Sequence, residues 1–254
     1  MRLLNTLLLV VLGFCCSCDA EKLSESSQIS RGRDLFNSTK FDNFAGHTLS
    51  CGSCHPGGDM DGRKWLLPAV SAESLSTPTL FGVAETAPYL WFANGGSDLR
   101  AVTQTVVEDI LLGTASADEL DELTAYQLSL VVPANPWRSS DGILTSSQER
   151  GKLVFENQGK CSVCHPGPLF TTRDSIQTRA GQGKVDIPSL RWVFATGPYF
   201  HDQYASSLVE VIRHYADSVS TAQMTNWGWN TLGIYDIDLT TQEKADLLEY
   251  LRTL

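Results

Sequence analysis

The chain has 254 residues, enough for one large domain or two small ones. Its net charge of -10 argues against a nucleic-acid-binding protein, because such proteins present basic surfaces. Hydrophobic residues make up 42% and charged residues 19%, a balance typical of a globular protein that buries a core. The acidic charge is compatible with ordinary solubility, and it would also attract a basic partner over long range.

The first 18 residues have the pattern of a secretory leader. Arg2 precedes an apolar run, Leu3–Phe14, which is too short for an ordinary membrane-spanning helix. The junction between Ser17 and Cys18 is similar to a bacterial lipoprotein cleavage site, at which Cys18 would be lipidated. We therefore expect an exported protein, either periplasmic or tethered outside the cytoplasm by a lipid anchor. The polar residues 19–29 suggest a flexible tether, followed by a helix that begins near Ser30.

A Cys-x-x-Cys-His run occurs twice. The two copies are Cys51-Gly52-Ser53-Cys54-His55 and Cys161-Ser162-Val163-Cys164-His165. Such a run attaches c-type haem, because its two thiols bond to the porphyrin and its histidine binds the iron. A redox dithiol that happens to precede a histidine is the alternative, but two copies, each followed by Pro-Gly, favour two covalently bound haems. The other three cysteines stand in the leader, so none remains for a disulfide in the body of the chain.

The sequence repeats itself at one constant offset. Cys51 and Cys161 lie 110 positions apart. The same offset relates Pro78-Thr79-Leu80 to Pro188-Ser189-Leu190, and Thr86-Ala87-Pro88-Tyr89 to Thr196-Gly197-Pro198-Tyr199. Three separated motifs at one offset indicate two copies of one unit. Each copy is expected to end in a helix, at 118–130 and 241–254, because apolar residues recur there at three- and four-residue steps.

We therefore predict a mainly α fold of two tandem cytochrome-c-like haem-binding units with long loops. The first unit is expected at 19–132 and the second at 138–254. The proline-punctuated segment 132–137 between them has the composition of a linker. Few stretches of the sequence have the alternation of a strand.

The distal side of the second haem has several candidate ligands. A helix is expected at 206–216, and four of its residues share one buried face: Leu208, Val211, Ile212 and Tyr215. Tyr215 therefore points inward and is the first candidate for the sixth iron ligand. The alternative is a buried tyrosine that only donates a hydrogen bond. His214 and Met224 are further candidates.

The first haem has no equivalent ligand on the matching helix, expected at 98–112. There Thr105 and Val106 occupy the positions of the two candidate ligands of the second copy. Met60 lies too soon after the haem motif to reach the opposite face, whereas His47 precedes the motif and stays a candidate. The sequence therefore predicts a six-coordinate second haem and an open or loosely capped first haem, to which peroxide can bind.

These motifs resemble the bacterial di-haem cytochrome c peroxidases and the MauG-type di-haem enzymes over residues 30–254. Besides the two haem motifs, the resemblance rests on Thr77–Leu80 with Thr86–Trp91, on Pro188–Leu190 with Gly197–Asp202, and on the C-terminal 239–251. It implies one haem that transfers electrons and one that reacts with peroxide. Trp91 matches a tryptophan that relays charge between the haems, and its alternative role is an aromatic core residue. Tyr215 matches by placement the distal tyrosine of MauG-type members.

The chain also departs from this family. Its peroxidases carry a glutamine and a glutamate in a proline-bearing loop over the reactive haem, where these groups handle protons. Gln104 and Glu108 are near the matching place, but their spacing differs and the proline is missing. Four positions apart on a helix, they would also suit an ordinary solvated face. The resemblance further implies calcium between the two halves, whose ligands the sequence does not place.

The sequence favours an exported di-haem c-type cytochrome that transfers electrons, with hydrogen peroxide reduction at the first haem. Its partners would be hydrogen peroxide and a small redox protein or another electron donor. The alternative is a non-catalytic di-haem electron carrier for a periplasmic redox partner, with both haems six-coordinate. A haem-based sensor is the third hypothesis, and the sequence shows no output domain that favours it.

Overall fold

The computed structural model describes residues 24–43, 48–177, 184–216 and 237–254. These residues form a helix-rich molecule with little sheet, which confirms the mainly α part of the predicted fold. The expected leader at 1–18, and the candidate ligands His47 and Met224, lie outside the described residues. Within the described ranges, no helix is both long enough and apolar enough to cross a membrane.

Helices supply most of the regular structure. The α-helices of the described ranges are α1 (Glu25–Phe36), α2 (Cys51–Cys54), α3 (Leu99–Thr105), α4 (Ala117–Leu128), α5 (Ser146–Glu156), α6 (Leu208–Ala216) and α7 (Thr241–Arg252). Two small antiparallel hairpins pair β1 (Lys64–Leu66) with β2 (Ser74–Ser76) and β3 (Ser175–Gln177) with β4 (Lys184–Asp186). The helices expected at 118–130, 241–254 and 206–216 are present as α4, α7 and α6, within two residues of the expected bounds.

The beginning of the first helix differs from the prediction. Helix α1 begins at Glu25, so the tether expected at 19–29 is wrong for residues 25–29. Ser24 accounts for the difference, because its side chain accepts a hydrogen bond from the N–H of Ser27 and caps the helix. Ile29 packs against the buried cluster that contains Phe36 and Leu123, so this segment contributes to the core.

Each half is built around a pair of crossing helices with a glycine at the contact. Gly32 of α1 lies against the carbonyl oxygen of Glu122 in α4, and Gly151 of α5 lies against that of Asp246 in α7. In both places a Cβ atom would overlap the carbonyl oxygen, so only glycine allows the two backbones to approach this closely. The same crossing in both halves shows that the sequence repeat is also a structural repeat.

The cores of the two halves match as well. An edge-to-face aromatic pair fills each crossing, Phe36 with Tyr126 at 5.1 Å and Phe155 with Tyr250 at 5.4 Å between ring centroids. The first cluster of buried residues is Phe36, Phe41, Val107, Leu111, Leu123 and Tyr126. The second is Val154, Phe155, Val193, Leu208, Ile212, Ile237, Leu239, Leu247, Tyr250 and Leu251. Each half therefore has its own hydrophobic core, beside its own Cys-x-x-Cys-His run.

Backbone hydrogen bonds join the two halves directly. The N–H of Ser76 in β2 donates to the carbonyl of His201, and the N–H of Asp186 in β4 donates to the carbonyl of Trp91, both at 2.8 Å. An ion pair between Arg191 and Glu85, at 2.6 Å, crosses the same junction. The hairpins therefore carry residues of each half to the surface of the other half.

Candidate haem sites

The two Cys-x-x-Cys-His runs fold into similar tight turns. In the first, the N–H of His55 donates to the carbonyl of Cys51 at 2.8 Å. In the second, the N–H of His165 donates to the carbonyl of Cys161 at 2.9 Å. All four cysteines of the two runs are free thiols. Each turn thus brings two thiols and an imidazole to one place, as haem attachment requires.

Both histidines are held as neutral rings. Burial lowers the pKa of His55 to about 4, although the backbone of Asp59 and the carboxylate of Asp61 oppose the shift. Burial also lowers the pKa of His165. The Nδ1 atom of His165 lies 3.0 Å from the carbonyl oxygen of Phe170, whereas the buried Nδ1 of His55 has no hydrogen-bond partner among the described residues. A neutral imidazole is the form that binds a metal.

The thiols are in an environment unlike that of a redox dithiol. Burial raises the pKa of Cys51 to about 11, and it raises the pKa of Cys54 and of Cys161 to about 12. The pKa of Cys164 is raised for the same reason. Reactive dithiols have a lowered thiol pKa, because nearby positive charge stabilises the thiolate. Each site therefore offers two protonated, partly buried thiols and one neutral imidazole, a donor set that fits c-type haem.

Tyr215 faces the second motif. It packs against the second core cluster, together with Cys161. Burial raises the pKa of Tyr215, and negative charge on Cys161 and Cys164 would raise it further, which places the phenol within electrostatic range of both sulfurs. Its helix, α6, buries Leu208 and Ile212, as the sequence pattern predicts. His214 and Tyr215 are both half-buried, and the ring of His214 packs 5.5 Å from that of the exposed Tyr204.

The matching helix of the first half is irregular. After α3, residues Val106–Ile110 form a π-helical turn, which the sequence pattern does not predict. Gln104 donates from Nε2 to Oε1 of Glu108 at 2.8 Å, and both residues are exposed. The structure therefore brings these two predicted catalytic residues together, on a solvated face. Thr105, which matches the position of His214, is exposed as well.

Trp91 lies at the junction of the two halves. Its Nε1 donates to the carbonyl of Ser76, and its own carbonyl accepts from the N–H of Asp186. Beside these contacts, Thr77 Oγ1 and Asp186 Oδ1 are buried, and neither has a hydrogen-bond partner among the described residues. Burial raises the pKa of Asp186 to about 7.

Sequence reasoning missed Asp186, Thr77 and Trp192 at this junction. Trp192 donates a hydrogen bond from its Nε1 to Asp59, which lies in the other half. One signal was available for Trp192: at the offset of the repeat, the first copy has Gly82 in its place. For Asp186 and Thr77 the signal is burial without a partner, which only the structure shows.

No family model matches the chain, but individual proteins do. Hydrazine synthase subunit gamma of Kuenenia stuttgartiensis is 27% identical over 182 residues, covering 53% of this chain and 48% of that one. Cytochrome c peroxidase Ccp of Escherichia coli (strain K12) is 22% identical over 237 residues, covering 70% and 50%. Methylamine utilization protein MauG of Methylophilus methylotrophus is 23% identical over 287 residues, covering 88% and 81%. The chain thus spans about half the length of the first two relatives.

Solved structures share the fold. The chain superposes on a MauG-like protein associated with microbial copper homeostasis with a TM-score of 0.71, at 22% identity, over 92% of this chain and 89% of that one. The diheme peroxidase BthA from Burkholderia thailandensis E264 gives a TM-score of 0.66, at 15% identity, over 92% and 89%. At these identities the likeness shows the fold alone.

Proposed function

The relatives of this chain point to the family of di-haem cytochrome c peroxidases and MauG-type proteins, as the sequence motifs predicted. From that premise we propose that the chain is an exported di-haem c-type cytochrome that reduces hydrogen peroxide at its first haem. The observation that carries the proposal is the duplicated donor set: two thiols and a half-buried, neutral histidine in each half. Export follows from the leader-like pattern of residues 1–18, and it puts the protein in the periplasm or on a lipid anchor outside the cytoplasm.

The haem-holding residues divide into two equivalent sets. In the first half Cys51 and Cys54 would hold a haem through thioether bonds and His55 would bind its iron. In the second half Cys161, Cys164 and His165 would do the same. A bound c-type haem supplies iron that accepts and releases single electrons.

The two sites differ on the side opposite the histidine. Tyr215 would be a further iron ligand at the second site, which its packing against the second core beside Cys161 supports. On the matching helix of the first half, Thr105 is exposed and Val106 has no donor atom, so that helix offers no such ligand. In this proposal peroxide therefore binds at the first site, and the second is the electron-transfer site.

Trp91 and the Gln104–Glu108 pair have distinct roles in this scheme. Trp91 carries charge across the junction, which its hydrogen bonds to Ser76 and Asp186 support, since these residues belong to opposite halves. Glu108 is the group that handles protons, and Gln104 positions its carboxylate through the hydrogen bond from Nε2. A small redox protein or another electron donor supplies the electrons. Because this chain has a net charge of -10, it would attract a donor whose docking surface is basic.

Calcium belongs to the same proposal, at the junction. Hard cations of this kind bind carboxylate, hydroxyl and carbonyl oxygens. Asp186 Oδ1 and Thr77 Oγ1 are buried oxygen atoms that find no hydrogen-bond partner in the described part of the chain, and both residues adjoin the contacts that hold Trp91. A cation bound beside either atom would satisfy it, and burial of such an atom otherwise costs free energy.

The alternative function is a non-catalytic di-haem electron carrier for a periplasmic redox partner. One observation favours it: Glu108, the acid expected over the first haem, lies exposed and bonded to Gln104.

Electron paramagnetic resonance (EPR) and absorption spectra of the purified ferric protein, with and without hydrogen peroxide, separate the two functions. The peroxidase proposal predicts one high-spin haem, whose spectrum changes on addition of peroxide. The carrier alternative predicts two low-spin haems that peroxide leaves unchanged, and that result would overturn the catalytic proposal.

A further inference from the structure

A single hydrogen bond connects Trp192 of the second half to Asp59 of the first. Nε1 of Trp192 donates to Oδ2 of Asp59 at 3.1 Å. Asp59 follows His55 by four residues, and both its backbone and its charge act on the histidine ring. The indole of the second half therefore reaches the immediate surroundings of the first candidate haem site.

The backbone of Trp192 is held in a conformation that bulky residues rarely adopt. Its φ angle is +70°, in the left-handed region. The equivalent residue of the first half is Gly82, with φ +74°, and glycine takes this conformation without steric conflict. A tryptophan keeps such a strained backbone conformation only where contacts with the surrounding structure hold it there, and residues of this kind are concentrated at functional sites.

Aromatic rings from both halves enclose the indole. The ring of Phe81, from the first half, meets it edge-on at 6.0 Å and 88°, and the ring of Phe194 lies at 4.8 Å. The neighbouring cation, Arg191, is paired with Glu85, so its positive charge is largely neutralised beside the indole. The carboxylate of Asp59 is thus the charged group that hydrogen-bonds the indole nitrogen.

We propose that Trp192 is a second relay residue between the two halves, with Asp59 as the group that stabilises its oxidised form. This inference rests on the proposed function, in which hydrogen peroxide accepts electrons at the first site. One electron passes from the indole to the oxidised first site, and one electron from the second site then restores the indole. The Nε1 proton stays in the hydrogen bond to Asp59, whose negative charge stabilises the positive indole.

Trp91 provides the internal comparison. Its Nε1 donates to a neutral backbone carbonyl, that of Ser76. A carboxylate stabilises positive charge on an indole more strongly than a carbonyl does, because hydrogen bonds to charged groups are the stronger ones. Trp192 is therefore the more easily oxidised of the two tryptophans at the junction.

Flash-quench photo-oxidation of the di-haem protein tests the inference. A soluble ruthenium polypyridyl complex supplies the oxidising equivalent after a laser flash, and transient absorption measures the yield of tryptophan radical. Trp192→Phe keeps an aromatic ring against Phe81, and Asp59→Asn keeps a hydrogen-bond acceptor while removing its charge. Each variant is expected to lower the radical yield about tenfold, because Trp192→Phe removes the indole and Asp59→Asn removes the negative charge that stabilises its oxidised form.

Trp65→Phe is the matched control. Trp65 also donates from Nε1 to a carboxylate, Asp61 Oδ2 at 2.8 Å, but this pair lies wholly within the first half. Trp192→Phe is expected to slow the oxidation of the reduced second haem after the flash, whereas the control is expected to keep the wild-type rate of this oxidation. Equal radical yields in the wild type and in Trp192→Phe would overturn the inference, and so would an equal slowing of this oxidation in the control. Haem absorption spectra and far-ultraviolet circular dichroism (CD) identify any variant that has lost its fold. If Trp192→Phe does not fold, the radical yield of Asp59→Asn decides whether the inference stands.

Failure of the inference and failure of the proposed function give different results. If peroxide leaves the ferric spectrum of the wild type unchanged, the proposed function fails, but the flash experiment still decides the role of Trp192 because its oxidant is the ruthenium complex. If peroxide reacts and Trp192→Phe keeps the radical yield, the proposed function stands and the inference is wrong.

Discussion

Tyr215 illustrates how one side chain distinguishes the two halves. It lies on the buried side of α6, packs with Cys161 against the second core, and faces the second pair of thiols. At the corresponding place the first half has Val106, at the start of a π-helical turn. A phenolate ligand on one iron and none on the other would give the two haems different reduction potentials, since the ligands of the iron determine the reduction potential of a haem.

Replacing Tyr215 with Phe removes the ligand oxygen and keeps the ring. We expect the second haem of the ferric protein to change from low-spin to high-spin, which EPR measures. The matched variant is His214→Gln on the same helix, which is expected to keep the low-spin signal. A low-spin signal that survives Tyr215→Phe and disappears in His214→Gln would reassign the ligand to His214.

Sequence patterns predicted single residues well where the signal is local. The i, i+3, i+4, i+7 spacing on one helix was enough to orient Tyr215 toward the core. The assignment of His55 and His165 to haem iron, which rests on the short Cys-x-x-Cys-His spacing, stays a prediction. The bond between Trp192 and Asp59 has no local signal, because the partners lie far apart in the sequence and the indole is placed by a left-handed backbone angle.

Crossing helices are the element that the two halves have in common. In each half the residue before the crossing glycine is an arginine that pairs with a buried carboxylate of the opposite helix. The pairs are Arg31 with Glu122 at 2.8 Å and Arg150 with Asp246 at 2.7 Å. The glycine brings the backbones together, and the ion pair fixes their register at the same level.

Gly151→Ala tests the crossing. The added methyl group would overlap the carbonyl oxygen of Asp246, so the two helices must separate. We expect a loss of about 1–3 kcal/mol in the free energy of unfolding, the usual cost of overpacking a core. Denaturant titration followed by circular dichroism measures this loss.

Lys152→Ala, on the exposed side of the same helix, is the control. It should change the free energy of unfolding by less than about 0.5 kcal/mol, because the ion pair of Lys152 with Glu156 is a surface pair. Equal losses in both variants would contradict the packing argument.

The ion pair of Asp246 makes stability depend on acid pH. Hydrogen bonds from Arg150 and Ser147 lower the pKa of Asp246 to about 2, below the value of about 3.9 for an unfolded aspartate. A lowered pKa stabilises the fold above the unfolded value, and the stabilisation is lost as the pH falls from about 4 to about 2. Asp246→Asn is therefore expected to lower the denaturation midpoint at pH 7 and to flatten its decline over that acid range.

Thermal denaturation at a series of pH values measures this effect. Glu156→Gln removes a carboxylate from the exposed face of α5 and serves as the control, which should keep the wild-type decline. An Asp246→Asn protein with the wild-type decline would show that this carboxylate does not contribute to the acid sensitivity.

Elements were predictable where apolar periodicity continues for several turns. Helices α4 and α7 were found for this reason. The start of α1 was missed because Ser24 and the residues after it are polar, so the helix is specified by its cap rather than by an apolar stripe. The hairpins were missed because three-residue strands are too short to show alternation.

At the scale of the whole molecule, the junction between the halves contains most of what the sequence could not reveal. Trp91 with Asp186, Trp192 with Asp59, and Arg191 with Glu85 all cross it. Each contact joins residues of different repeats, so neither repeat alone indicates it. The repeat itself, by contrast, was evident from one constant offset between motifs.

Calcium is expected to stabilise the junction. A cation that binds the folded chain raises the melting temperature by mass action. We expect calcium to raise the melting temperature of the wild type and a chelator to lower it, as differential scanning calorimetry would show. Asp186→Asn should abolish the response, whereas Asp141→Asn, at an exposed carboxylate of a distant turn, should keep it. A wild-type melting temperature independent of calcium would remove the cation from this account.

The central claim is that two haems are covalently attached, one in each half. Intact-mass spectrometry of the mature protein, together with a pyridine haemochrome assay, tests it most directly. We predict two haem-sized additions per chain, with Cys51→Ala/Cys54→Ala and Cys161→Ala/Cys164→Ala each losing one. A mature wild-type chain that carries one covalent haem or none would contradict the account.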